Sequence, residues 1–205
     1  MFLGIRFSFA DQTVKMVQTE YVDKILDKFG MKDCNPRKTP CDLGIDKISQ
    51  VDSKQFEDTT VYREIIGSLI YLTTCTRPDI SFIVNKLAQS MSRPTNADFN
   101  SAKSVLRYLK GTRTQGLIYD GRESECDLIG FADSDWGGSP DRRSISGYIF
   151  RVGSNDSPIA WRSKKQETVA LSTCEAEYVS LTHAIQEAKF LSQLRADLYG
   201  SKFLV

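Results

Sequence analysis

The chain has 205 residues, 40% of them hydrophobic, which suffices for one large domain or two small ones with a sizeable core. A net charge of +1 excludes any argument for an acidic or basic partner from totals, so local clusters must carry it. Five cysteines, odd in number and scattered without a Cys-x-x-Cys pair, favour a reducing compartment and no structural zinc.

Residues 2–8 and 13–17 read as two short strands around Asp11 and Gln12, a hairpin. Between 19 and 29, Tyr21, Val22, Ile25, Leu26 and Phe29 fall on one helical stripe, and Gly30 stops it. Residues 33–58 are rich in Pro, Asp, Lys and Ser and read as a linker that wraps the surface or is partly mobile. Tyr62, Ile65, Ile66, Leu69 and Leu72 then mark a helix. Pro78 and Asp79 restart the chain, with Asp79 as the expected cap, and Ile80, Ile83, Val84, Leu87 and Met91 repeat at helical spacing. After Pro94, the stripe Phe99, Ala102, Val105, Leu106 and Leu109 gives another helix, stopped at Gly111. These stripes are core rather than a ligand site.

Lys103, Arg107 and Lys110 are spaced by four and three and share a face of that last helix, away from its apolar stripe. Arg113 follows, and no acid lies between Asp98 and Asp120. Such a cluster can hold a phosphate backbone, with salt-dependent binding, or it is a solvated helix face.

The stretch 128–132 is short, apolar and flanked by polar residues, as a buried strand is. It delivers Asp133 and Asp135 where apolar character stops, and Gly137, Gly138 and Pro140 turn the chain. Residues 145–152 and 158–162 give two further strands. Ser172 or Thr173 caps a helix that carries Glu175 and Glu177 in its first turns. A strand-end carboxylate set against a helix-start carboxylate can hold Mg²⁺, which needs one or two protein carboxylates besides water and phosphate oxygens. The competing reading makes the Asp residues turn formers and the Glu residues partners of the helix dipole. Arg162, Lys164 and Lys165, between the third strand and this helix, are candidates for gripping a nucleic acid near the metal. Trp136 is expected to pack in the core, and His183 to be a surface or boundary residue.

The motifs Phe-Ala-Asp-Ser-Asp-Trp (131–136), Asp-Arg-Arg-Ser-Ile-Ser-Gly-Tyr (141–148), Ala-Trp-Arg-Ser-Lys-Lys-Gln (160–166) and Ser-Thr-Cys-Glu-Ala-Glu-Tyr (172–178) occur in this order. Together they resemble the ribonuclease H region of copia-type retrotransposon Pol polyproteins. Upstream, Phe2-Leu3-Gly4, Gln18–Tyr21, Phe29–Met31, residues 62–69 and Thr76-Arg77-Pro78-Asp79-Ile80 carry the same resemblance, which thus covers nearly the whole chain. It implies the end of a reverse-transcriptase palm and start of a thumb at 1–32, a linker at 33–58, a helical thumb or connection segment at 59–115, and a ribonuclease H-like domain at 116–205, incomplete at its C-terminus. The fold expected is α+β, a helical first half followed by a truncated mixed sheet with a flanking helix.

By that resemblance Asp133 and Glu177 match the catalytic, metal-binding carboxylates, with Asp135 and Glu175 as lesser alternatives. The complete family domain uses two Mg²⁺ ions to hydrolyse RNA in RNA–DNA hybrids. Its partners are hybrid or duplex nucleic acid and the rest of the Pol polyprotein. The polymerase Tyr-x-Asp-Asp motif and the later Asp-Asn motif are both absent here, and Asp197 is the only Asp after Glu177. A folded but non-catalytic nucleic-acid-binding remnant and a pseudogene product are the alternatives. No apolar run reaches bilayer length and no signal peptide opens the chain, so no membrane partner is expected, and the location expected is intracellular, cytoplasmic or nuclear, not secreted.

Overall fold

The computed structural model of the protein describes residues 1–42, 54–122, 127–139, 141–153, 157–200 and 203. The stretch 43–53 of the expected linker and the expected turn at Pro140 lie outside them. The described residues form two compact units, Met1–Ser8 with Lys15–Leu117, and Phe9–Val14 with Ile118–Val205.

Strands β1 (Arg6–Ala10) and β2 (Thr13–Val17) form the hairpin. Asp11 and Gln12 between them both have positive φ, 46° and 63°. Two left-handed residues in a row make the turn whose twist matches that of the flanking strands. Strand β3 (Gly116–Asp120) adds to β2 in the order β1-β2-β3. A Cβ on Gly116 would lie 2.0 Å from the Met16 carbonyl oxygen, so a side chain there would block the approach of the strands.

The helices of the first unit follow the apolar stripes. Helix α1 (Thr19–Lys28) buries Val22, Ile25 and Leu26, and Gly30, at φ +65°, turns the chain out of it. Helix α2 (Thr59–Cys75) starts where the Asp58 carboxylate accepts from the Val61 amide at 3.0 Å. A 3-10 turn at Pro78–Ile80 leads into α3 (Ser81–Ala88). Helix α4 (Asn96–Gly111) opens on a reciprocal cap, with the Asp98 amide donating to Thr95 Oγ1 at 3.2 Å and the Thr95 amide donating to the Asp98 carboxylate at 2.9 Å. Tyr62, Ile66, Leu69, Leu72, Leu106 and Leu109 are completely buried where these helices meet.

The two described ends of the expected linker are fastened to this unit. The Phe56 amide donates to the Pro94 carbonyl at 2.9 Å, and the Phe56 ring stacks on Phe99 with centroids 4.1 Å apart. Cys34 and Cys41 pack against the core.

Asp79 does not cap α3. Its carboxylate accepts from Arg77 Nε at 3.0 Å, Arg77 Nη2 at 2.7 Å and the Tyr108 hydroxyl at 2.7 Å. The Arg77 side chain is 2% exposed, donates also to the carbonyl and hydroxyl of Thr112 at 3.2 and 2.7 Å, and lies over the Tyr108 ring. A buried guanidinium requires such a set of acceptors, and the Asp79 carboxylate faces that cluster, with no side-chain cap bond at the start of α3.

The second unit holds β4 (Leu128–Ser134), β5 (Ile145–Val152) and β6 (Ala160–Lys165), in the order β4-β5-β6, and helix α5 (Thr173–Tyr199). Both ladders are antiparallel, Leu128 opposite Val152 and Ser134 opposite Ser146 in one, Ile145 opposite Lys165 and Phe150 opposite Ala160 in the other. The expected mixed sheet is therefore corrected: the described strands form an antiparallel meander, joined by short connections that parallel pairing does not permit. Helix α5 covers one face of it through Ala176, Ser180, Ala184, Ala188 and Leu191, against Phe150 and the flanking Leu128, Tyr148 and Ala160. Small residues on the buried stripe allow close approach to the sheet, and the large ones, Tyr178, Leu181, Ile185, Phe190 and Leu194, stay exposed.

Candidate functional site

The acidic residues of the second unit divide by what holds them. The Asp135 carboxylate accepts from the Ile145 amide, while the Asp135 amide donates to the Ile145 carbonyl at 3.1 Å, so this side chain closes the β4–β5 connection. Ser172 Oγ accepts from the Glu175 amide at 3.1 Å, and the Glu175 carboxylate accepts from the Leu171 amide at 2.7 Å. Glu175 thus serves the start of α5. Each of these two carboxylates accepts a backbone amide.

Asp133 and Glu177 are different. Both are exposed, and neither side chain makes a hydrogen bond or ion pair with any described residue. Asp133 is the last residue but one of β4, opposite Gly147. One turn after Glu177, Ser180 Oγ donates to the carbonyls of Asp133 and Gly147 at 2.7 and 3.2 Å, which seats this part of α5 on the Asp133 end of the strand. Strand alternation puts the Asp133 Cβ with Phe131 and Ile149 on the face that α5 leaves uncovered, since Leu128, Tyr148 and Phe150 pack toward the helix. Among the described residues no group of three or more His, Cys, Asp or Glu could hold a metal. Two carboxylates fit one hydrated Mg²⁺; they do not fit a pair of ions.

Trp136 is 48% exposed, against the expectation of core packing. Its Nε1 donates to the Ala170 carbonyl at 3.1 Å and the Arg142 guanidinium lies 5.9 Å from its ring centroid, so the indole links the β4–β5 connection to the segment before α5. His183 is half-buried, as a boundary residue.

The basic residues are engaged to different degrees. Arg107 Nε donates to the Asn35 carbonyl at 2.7 Å and Lys110 Nζ to the Lys32 carbonyl, so both pin the chain that follows α1 onto α4. The Lys103 ammonium lies 5.6 Å from the Phe99 ring centroid, and the exposed Arg113 pairs with Asp23 at 3.1 Å. The sequence pattern could not show that two of these cations serve backbone carbonyls, because the acceptors lie in an irregular segment more than seventy positions away. Arg107→Ala is expected to destabilise the first unit by about 1 kcal/mol, read as a lower urea midpoint at unchanged slope.

In the second unit Lys164 pairs with Glu167 at 3.0 Å and Lys165 with Asp141 at 2.8 Å. The bonded ammoniums hold both carboxyls below the usual carboxylate range. Arg162 stands opposite Tyr148 across β5 and β6. Burial, then the Glu187 carboxylate that accepts from the Tyr148 hydroxyl at 3.0 Å, push that phenol up, against a lowering pull from Arg162.

No family model matches the chain, and no solved structure matches it. None of the described helices is long and apolar enough to cross a membrane. An uncharacterized mitochondrial protein of Arabidopsis thaliana is 41% identical over 196 residues, 95% of this chain and 79% of that protein. Secreted RxLR effector protein 161 of Plasmopara viticola is 44% identical over 132 residues, 64% of this chain and 91% of that protein. The retrovirus-related Pol polyprotein from transposon RE2 of Arabidopsis thaliana is 37% identical over 198 residues, which is 96% of this chain and 13% of that polyprotein. With nearly all of its length aligned to such a protein, the chain belongs to the family of retrotransposon Pol polyproteins, of which it spans a small part.

Proposed function

We propose that this chain is the part of a copia-type Pol polyprotein that runs from the end of the reverse-transcriptase palm, through a thumb or connection segment, into a ribonuclease H-like unit. In the longer polyprotein Asp133 and Glu177 would each give a carboxylate to Mg²⁺, which supplies the activated water for hydrolysis of RNA in RNA–DNA hybrids. The observation that carries this reading is the contrast among the four acids: Asp135 and Glu175 are consumed by backbone amides, whereas Asp133 and Glu177 are exposed and uncommitted at the strand end and helix start. The location that goes with this role is intracellular.

Residues 1–205 alone are expected not to cleave hybrid, because a second cation beside the first needs further negative ligands. A form extended at its C-terminus through the family's Asp-Asn motif is expected to cleave with Mg²⁺ or Mn²⁺, and Asp133→Asn in that form to abolish cleavage. Metal-dependent cleavage by the short chain, lost on Asp133→Asn, would overturn this expectation.

That no group of three or more His, Cys, Asp or Glu among the described residues could hold a metal favours a second reading, a nucleic-acid-binding segment without hydrolysis of its own. Lys103, Arg107, Lys110, Arg113, Arg162, Lys164 and Lys165 would supply its phosphate contacts. Replacing Lys103, Arg107 and Lys110 with Ala should then weaken duplex binding and flatten its logarithmic salt slope by up to about 2.7, at about 0.9 per neutralised phosphate. Affinity unchanged at low salt would restrict these residues to their contacts within the protein.

A further inference from the structure

The motif 160–166 ends in a residue that the reading above does not use. Gln166 is 3% exposed. Its amide donates to the Ser144 carbonyl at 2.8 Å, and its side-chain Nε2 donates to Ser146 Oγ at 2.9 Å and to the Ala176 carbonyl at 3.0 Å. One carboxamide therefore joins β5 to the first turns of α5. Ser146 stands opposite Ser134, the neighbour of Asp133, and Ala176 is the neighbour of Glu177. One turn further along α5, Ser180 makes the second tie, to the carbonyls of Asp133 and Gly147.

Glu177 is thus bracketed by two polar ties on a helix stripe whose other sheet-facing residues include Ala184, Ala188 and Leu191. A single tie leaves a helix free to rock about it; two ties one turn apart fix both its height and its rotation over the sheet. Their energetic cost argues for a role beyond filling space. Gln166 Oε1 is buried without a partner among the described residues, and an unpaired buried acceptor costs about 1–3 kcal/mol.

We infer that Gln166 is a positioning residue, which with Ser180 holds Glu177 in register with Asp133 so that both carboxylates reach one divalent cation. This rests on the reading in which Asp133 and Glu177 share that cation. Displacement of a ligand by about 1 Å is enough to lose a metal or a rate, and the ties act on that scale.

The test is Mn²⁺ binding to purified residues 1–205, followed by electron paramagnetic resonance, with urea unfolding of each variant alongside. Binding by the unaltered chain, lost in Asp133→Asn and in Glu177→Gln, supports the shared cation. On that background Gln166→Met is expected to raise the Mn²⁺ dissociation constant about tenfold, in line with outer-shell groups at metal sites, while the stability read from the urea midpoint falls by no more than the lost Ser146 bond requires, about 1–3 kcal/mol, and the variant stays folded. Ser146→Ala removes only one acceptor of the tie and should give a smaller increase, which keeps the idea open to test if Gln166→Met does not fold. Mn²⁺ affinity unchanged in both folded variants overturns the role of Gln166 and leaves the shared cation standing. Absence of Mn²⁺ binding by the unaltered chain overturns the shared cation and the role of Gln166 with it.

Discussion

Arg77→Ala is expected to destabilise the first unit by about 2–3 kcal/mol, because a buried guanidinium and its bonds are lost while Asp79, a third of whose side chain is exposed, keeps part of its solvation. The guanidinium donates to the Asp79 carboxylate through two nitrogens and also to the carbonyl and hydroxyl of Thr112. Its loss leaves Asp79 with the Tyr108 hydroxyl as its remaining side-chain donor. Burial pushes the Asp79 carboxyl up, but the Arg77 bonds and charge and the Tyr108 bond outweigh it, and the folded-state value lies below the usual one. A depressed folded value means stability that is present above the unfolded pKa of about 3.9 and lost as pH falls through the folded value. The unaltered chain should therefore lose stability on acidification below about pH 4, and Arg77→Ala should lack that acid-side loss. Urea midpoints at neutral pH and at pH 3 measure both effects. A midpoint equal to that of the unaltered chain at neutral pH would remove the Arg77 cluster from the account of what fixes α4 against the 3-10 turn.

Tyr62→Ala is expected to cost about 3–5 kcal/mol, as a large buried aromatic leaves a cavity that the surrounding helices only partly close. Tyr62 is completely buried, and its hydroxyl donates to the Leu87 carbonyl at 2.8 Å, joining α2 to the last turn of α3. Burial, reinforced by the Asp98 charge, pushes its phenol far above the ordinary value, so it stays a neutral donor across the accessible pH range. Tyr62→Phe keeps the ring and loses the bond, and should cost about 1 kcal/mol. The difference between the two variants separates packing from hydrogen bonding at this site. Equal effects would mean that the ring contributes nothing beyond its hydroxyl.

The helical half was legible because its buried residues are large and apolar and recur at helical spacing, as Tyr62, Ile65, Ile66, Leu69 and Leu72 do. Helix α5 was harder to read, since the stripe that touches the sheet is Ala176, Ser180, Ala184 and Ala188 while larger apolar residues face outward. Only its start was marked, by Ser172 and the acids that follow. Strand β3 left no expectation at all: Leu117, Ile118 and Tyr119 are too few to signal a strand without their distant partner β2. At the candidate site the sequence singled out four acids, and the local bonding separates them, because turn and cap geometry that consumes Asp135 and Glu175 has no signature distinct from that of a ligand. Gln166 and Arg77 went unread for a similar reason. A buried polar side chain is defined by the acceptors around it, and those of Arg77 include Thr112, thirty-five positions away.

The pairing of β2 with β3 places the two partners about a hundred residues apart, with the whole helical bundle between them, so loop-closure entropy opposes it until that bundle has formed. During synthesis at about 5–20 residues per second, β2 leaves the ribosome roughly 5–20 seconds before β3 exists. For that interval one edge of β2 has no strand beside it, and an open edge invites pairing with other chains. A nascent chain arrested between α4 and β3 should therefore be the most chaperone-dependent of its intermediates, while one released beyond Asp120 can close the sheet on itself.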